Sequence, residues 1–335
     1  KGGRYEVTFD FHCDTISDWL IIRKQVRFNG VVYALIWKSW GKVTRLFRIL
    51  RWFVDMHRCS DPWERYQFLL QCYKRELERN QDRLHPVLSA ADVGLADREG
   101  KIGSMLSIEE GGVIGGSADK LDQVWKDGVR LITLTWNYPN ELGWPNGMEG
   151  PDKGITETGW NIIDRMDELH MIVDTSHLND QGTREILERR KRAPVASHSD
   201  ARALTQVPRN LPDDLIRAFG EKGGLIGLNF SRNFIGSKAV DSLPGRMDID
   251  FSAGPVRCTL IHDIVRHARH LTEVGGEDTV CLGTDFDGIE PFLELKDASQ
   301  MPKLADAMKK GGFTEAQVEK IFRKNAERYL KDMLA

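Results

Sequence analysis

Ionisable residues stand where several short apolar runs of this chain end. His12 and Asp14 close 7-VTFDFH-12, and Glu109 and Glu110 close 102-IGSMLSIE-109. His177 ends 171-MIVDTSH-177, His198 ends 194-PVASH-198, and Asp285 and Asp287 end 280-VCLGTDF-286. Imidazole and carboxylate together suit Zn²⁺ and related divalent ions, and the lack of thiolates among them argues against a closed structural zinc site. Two imidazoles, a His-x-Asp pair and a further carboxylate exceed what one ion with an open position needs. They suit two metals that share a bridging carboxylate and activate a water between them. Within a strand, positions i and i+2 share a face, so Asp10, His12 and Asp14 are expected to point the same way. Alone, that stretch reads either as a solvated edge or as half of a metal site.

The elements that must hold these residues alternate. Eight β-like runs are legible: the five above together with 31–37, 129-VRLITLTW-136 and 225-LIGLNF-230. Helix-like segments fall between or after them at 61–82, 117–127, 159–170, 180–191, 211–222, 259–274, 298–310 and 314–334. Strand–helix alternation implies a parallel sheet with helices outside it. Eight units in 335 residues favour an α/β TIM-like (β/α)8 barrel, one domain spanning 1–335, over an open doubly wound sheet. No GxGxxG follows the first strand, which weakens a dinucleotide-binding alternative. In a barrel the working residues lie at the C-terminal ends of the strands, where the ionisable residues are found.

Composition excludes some partners. A net charge of −3, with 29% charged residues, gives no global pull toward nucleic acid or anionic membrane. The stretch 31–54 is apolar and aromatic, but Lys38, Lys42, Arg45, Arg48 and Arg51 interrupt it, so no membrane span is expected. From Val43 onward the apolar spacing predicts an amphipathic helix packed on the core. The five cysteines are scattered and form no CxxC pair, which fits a reducing, cytoplasmic setting without a disulfide framework.

The motifs 10-DFHCDT-15, 107-SIEEGG-112, 128-GVRLITLTWN-137, 173-VDTSH-177, 195-VASHSDAR-202, 208-PRNLPDD-214 and 283-GTDFDG-288 occur in order. On these the chain resembles the membrane (renal-type) dipeptidases, zinc peptidases, and in particular their soluble bacterial members. The resemblance covers 101–335 densely and the first 20 residues clearly. It implies a barrel hydrolase with two Zn²⁺ per chain that cleaves dipeptides with a free C-terminal carboxylate through a zinc-bridging hydroxide. His12 and Asp14 would bind one zinc, His177 and His198 the other, and Glu109, by its distance to the 133-TLTW-136 strand end, is preferred over Glu110 as the bridge. Asp285 matches the family's catalytic aspartate, and Arg209 the arginine that takes the substrate carboxylate, a geometry suited to a guanidinium fork. A homodimer is compatible with the resemblance.

Two departures stand out. Trp136 occupies the strand end where many family members carry a histidine that polarises the scissile carbonyl, and residues 20–60 match poorly. These keep two alternatives open: a binuclear barrel hydrolase of N-acyl amino acids, lactams or esters, and a metal-bound scaffold without catalysis. Among the remaining residues, Asp10 and Asp174 are expected to be supporting or structural. The glycines at 111, 112, 115 and 116 read as a tight βα loop. His57, His85, His170, His262, His267 and His270 are expected at the surface or at helix caps.

Overall fold

The computed structural model describes residues 7–13, 45–53, 60–147, 153–244, 246, 248–286 and 288–335. Its chain order is β1 Val7–Cys13, β2 Arg45–Phe53, α1 Pro62–Arg79, β3 Leu84–Pro86, α2 Ala90–Arg98 and β4 Ile102–Glu109. There follow α3 Ala118–Lys126, β5 Val129–Thr133, α4 Glu157–Glu168, β6 Ile172–Asp174, α5 Asp180–Arg189, β7 Val195–Ala196, α6 Asp213–Lys222 and β8 Leu225–Leu228. The last stretch contains β9 Lys238–Val240, β10 Val256–Cys258, α7 Ile261–Gly275, β11 Val280–Leu282, α8 Met301–Lys310, α9 Glu315–Glu319 and α10 Asn325–Met333. Neighbouring strands pair in parallel in the order β2-β1-β11-β8-β7-β6-β5-β4, and β2 also pairs with β4. The ring therefore closes as the expected eight-stranded parallel barrel. Short β3 extends the sheet along the start of β4, and β9 and β10 form a separate antiparallel pair.

The strand period decides what faces inward. Phe9, Met105, Leu131, Ile172, Val195, Leu225 and Cys281, one from each of seven strands, share a buried cluster with Tyr329, Leu330 and Met333 of α10. Their neighbours Leu106, Ile132, Val173, Ala196, Ile226 and Leu282 pack outward among the helices. Two or four residues beyond the inner layer, on the same face, come Glu109, Thr133, Asp174, Ser197 and Asn229. The apolar floor and the polar layer above it are thus successive turns of one alternation. At this level the backbones crowd: a Cβ at Gly227 or Gly283 would stand 1.9 or 1.8 Å from the Ser197 carbonyl oxygen, so only glycine fits. The floor is closed by Tyr329, whose hydroxyl donates to the Ala193 carbonyl; truncating such a buried ring to Ala costs about 3–5 kcal/mol.

Two expectations are corrected, and a third is not reached by the described residues. The helix expected from Val43 is strand β2, paired residue by residue with β1 and with β4 from Arg48↔Ser104 to Phe53↔Glu109. Arginines at every third position imitate a helical face, but a barrel strand is flanked by sheet on both edges and by helices outside, so it needs no clean alternation. The run 31–37, expected as the second strand, lies outside the described residues. His267 is fully buried rather than superficial: its Nδ1 accepts from the Ala201 N–H at 3.2 Å and its Nε2–H donates to the Ile235 carbonyl at 2.9 Å. Helix α2 was not anticipated; its Ala90 and Val93 join the cluster around α10. Among the described residues no helix is long and apolar enough to cross a membrane.

Candidate metal centre

Three strand ends bring Glu109, His177 and His198 together. Glu109 is the last residue of β4, His177 lies three residues beyond β6, and His198 two beyond β7. The His177 and His198 Nε2 atoms are 3.0 Å apart, and Glu109 Oε1 lies 3.1 Å from the first and 3.5 Å from the second. All three residues are buried, and their ligand atoms fall within 4.8 Å of one another. His177 sits at φ +69°, a left-handed conformation, and its carbonyl is held by the Asn146 N–H at 2.7 Å.

The far sides of both rings fix which nitrogen is bare. Asp174 accepts at Oδ2 from the Thr133 hydroxyl (2.6 Å) and the Ser197 hydroxyl (2.7 Å), and at Oδ1 from the Ser176 and Ser197 N–H groups. The Ser197 proton is therefore committed, so at 2.8 Å its oxygen accepts from His198 Nδ1–H. The Asn137 side-chain oxygen accepts from His177 Nδ1–H at 3.1 Å. Both Nε2 atoms then face each other and a carboxylate oxygen as lone-pair donors, an arrangement that repels itself unless a cation lies between them. Tetrahedral zinc with Zn–N bonds near 2.0 Å sets its ligand atoms about 3.3 Å apart, close to this triangle. The donor set fits a divalent ion.

Glu110 has a different task. At φ +92° its side chain turns from Glu109 and accepts from the Gly112 N–H (3.0 Å), the Trp136 N–H (3.1 Å) and the Asn140 side-chain amide. Burial raises its pKa, against those donors. It ties down the loop after β5, where the Trp136 ring lies 6.1 Å from that of His177.

Asp285, three residues past β11 and at φ +61°, accepts at Oδ2 from the Asn229 side-chain amide at 2.9 Å. Arg209 is buried: Nη1 donates to the Ser199 hydroxyl at 3.0 Å, and its guanidinium lies over the Phe234 ring at 5.5 Å. Its Nε and Nη2 have no hydrogen-bond partner. Burial lowers its pKa to about 10, opposed first by Asp285 and then by Glu109, so it stays charged at neutral pH. Asp200, wholly buried nearby, has its pKa pushed well above the usual carboxylate range by desolvation, with Arg209 pulling it down.

His12 is on β1, whose register with β2 is irregular between Asp10 and Cys13. The His12 side chain, Asp14 and Asp287 lie outside what the structure describes. Asp10 accepts from the Thr284 N–H (3.0 Å) and hydroxyl (2.7 Å), fastening β1 to the β11 end. The sequence search missed Asn137, Ser197, Ser199 and Asn229. Asn229 ends a strand, as the ionisable residues do, and a search that admitted amides would have found it.

The family model "Membrane dipeptidase (Peptidase family M19)" matches residues 55–334, a span that contains Glu109, His177, His198, Arg209 and Asp285 but begins after His12 and Asp14. An uncharacterised protein of the pqqA 5′ region from Klebsiella pneumoniae is 34% identical over 282 residues, covering 82% of this chain and 98% of its own. Among solved structures, a metallopeptidase from Rhodobacter sphaeroides liganded with a phosphinate mimic of the dipeptide L-Ala-D-Ala superposes with a TM-score of 0.76 at 23% identity, covering 98% of this chain and 99% of its own. An amidohydrolase from Pseudomonas aeruginosa gives 0.77 at 18%, with 98% of each chain covered. The chain belongs to the membrane dipeptidase family, peptidase family M19.

Proposed function

We propose that this chain is a zinc-dependent dipeptidase acting on dipeptides with a free C-terminal carboxylate. Family membership supports metal-dependent hydrolysis of the dipeptidase type. The observation that carries the finer reading is the coexistence of three convergent potential metal ligands, Glu109, His177 and His198, and a buried guanidinium with unmatched N–H groups, that of Arg209. His177 and His198 would hold one zinc and His12 and Asp14 a second, with Glu109 shared between them. Metal bound there supplies Lewis acidity, acidifying water and drawing charge from the scissile carbonyl. Arg209 takes the substrate carboxylate through Nε and Nη2, a fork that matches two carboxylate oxygens. That anchor fixes the distance from C-terminus to scissile bond and limits substrates to short peptides. Asp285, oriented by Asn229, takes a proton from the attacking water at its carboxylate and passes it to the leaving amine.

Activity on a dipeptide panel, with and without chelator and beside metal analysis, tests this. Chelator-sensitive cleavage of dipeptides and about two zinc per chain are expected. Faster turnover of N-acyl amino acids, which share the carboxylate but lack the free amine, would move the assignment to the wider group of barrel hydrolases. Less than about one ion per chain after reconstitution would remove both.

A further inference from the structure

His177 and His198 are supported unequally. Behind His198 stands a buried chain, Ser197 and then Asp174, whose carboxylate collects four donors. Behind His177, at its Nδ1, stands the neutral amide of Asn137, exposed at the barrel mouth. The loop that delivers it is well held on both sides. Trp136 N–H and the Asn140 side-chain amide bind the two Glu110 oxygens, and Asn140 also donates to the Leu134 carbonyl at 2.8 Å and accepts from the Leu142 N–H at 2.8 Å. Glu110 keeps its φ of +92° because these bonds over-determine it. The residue next to Glu109 thus sets the loop that sets His177.

We infer that Asn137 is a positioning residue for His177: its side-chain oxygen holds the ring in the Nδ1–H form and aims Nε2 at Glu109 and His198. The inference rests on the metal-centre reading above, but not on the substrate. What matters is the acceptor, not the amide's NH2 group. Partners behind a ligating histidine typically change metal affinity by about 10–100-fold.

The test is a competitive Zn²⁺ titration of chelator-stripped parent, Asn137→Ala and Asn137→Asp, each accompanied by a thermal melt of the stripped protein. Asn137 is exposed, so the Ala variant should melt with the parent. Its tighter or weaker zinc site, whichever is read out as involving His177, should lose about 10-fold or more in affinity. The Asp variant keeps an oxygen at the same position and should bind zinc within about threefold of the parent or more tightly. Unchanged affinity in Asn137→Ala overturns the inference, as does Asn137→Asp failing as badly as Ala. A parent that takes up no zinc overturns the metal centre itself, a different failure from either.

Discussion

His177 and His198 point their Nε2 atoms at each other across 3.0 Å, and each is held in that attitude by an acceptor behind its Nδ1. Without a cation the arrangement is under electrostatic tension, because Glu109 adds a third electron-rich atom at 3.1 and 3.5 Å. Metal should therefore stabilise the fold. With free zinc at 1,000 times its dissociation constant, the gain from mass action is about 4 kcal/mol. A melting temperature that rises on adding zinc to stripped protein, and falls back on chelation, is the expected outcome. Glu109→Gln should shrink that rise.

Arg209→Lys keeps a positive charge but replaces the fork with a point charge on a different stem. Since Nε and Nη2 are the groups left for substrate, the loss should fall on substrate capture. We expect kcat/KM on dipeptides to drop by about 2 kcal/mol or more, chiefly through KM, with zinc content unchanged. Dipeptide amides, which lack the carboxylate, should be poor substrates for the parent and no worse for the variant. Parent turnover of amides as fast as of free dipeptides would contradict the role.

Asp285→Asn preserves shape and the contact with Asn229 on one side, but removes the base. Turnover should fall by about 10²–10⁴-fold while zinc stoichiometry holds. An unchanged kcat would remove Asp285 from the proton path.

Part of the candidate site was legible because metal ligands are ionisable groups, and those interrupt apolar strands visibly: Glu109, His177 and His198, which the structure brings together, stand out that way. The supporting residues were not. Ser197, Asn137 and Asn229 are ordinary polar residues in sequence, and only proximity to an imidazole or a carboxylate gives them a task. Strand β2 was misread for a related reason. The three-residue spacing of Arg45, Arg48 and Arg51 is local, whereas pairing with β1 and β4 is a long-range fact that overrides it. The preference for Glu109 over Glu110 came from its distance to the 133-TLTW-136 strand end; the different task of Glu110 was not legible, because it depends on a positive φ that sends its carboxylate to the Trp136 loop.

His267 shows how such burial becomes measurable. Its Nδ1 accepts the Ala201 N–H, three residues past His198, so the ring cannot be protonated there without breaking the contact that backs the 198–201 turn. Desolvation lowers its pKa from 6.5 to about 4. The sign follows: the unfolded chain takes the proton near pH 6.5 and the folded one only near 4. Stability from this group is complete above about 6.5, declines as pH falls, and is fully lost below about 4, for a total of at most about 3 kcal/mol. Other carboxylates also titrate in that range, so the parent is compared with His267→Gln, whose amide can still donate toward Ile235 and which does not titrate. The variant should be less stable at pH 7.5 and should lose less stability than the parent between pH 6.5 and 4. Parallel melting-temperature profiles for the two proteins would show that His267 carries no such linkage.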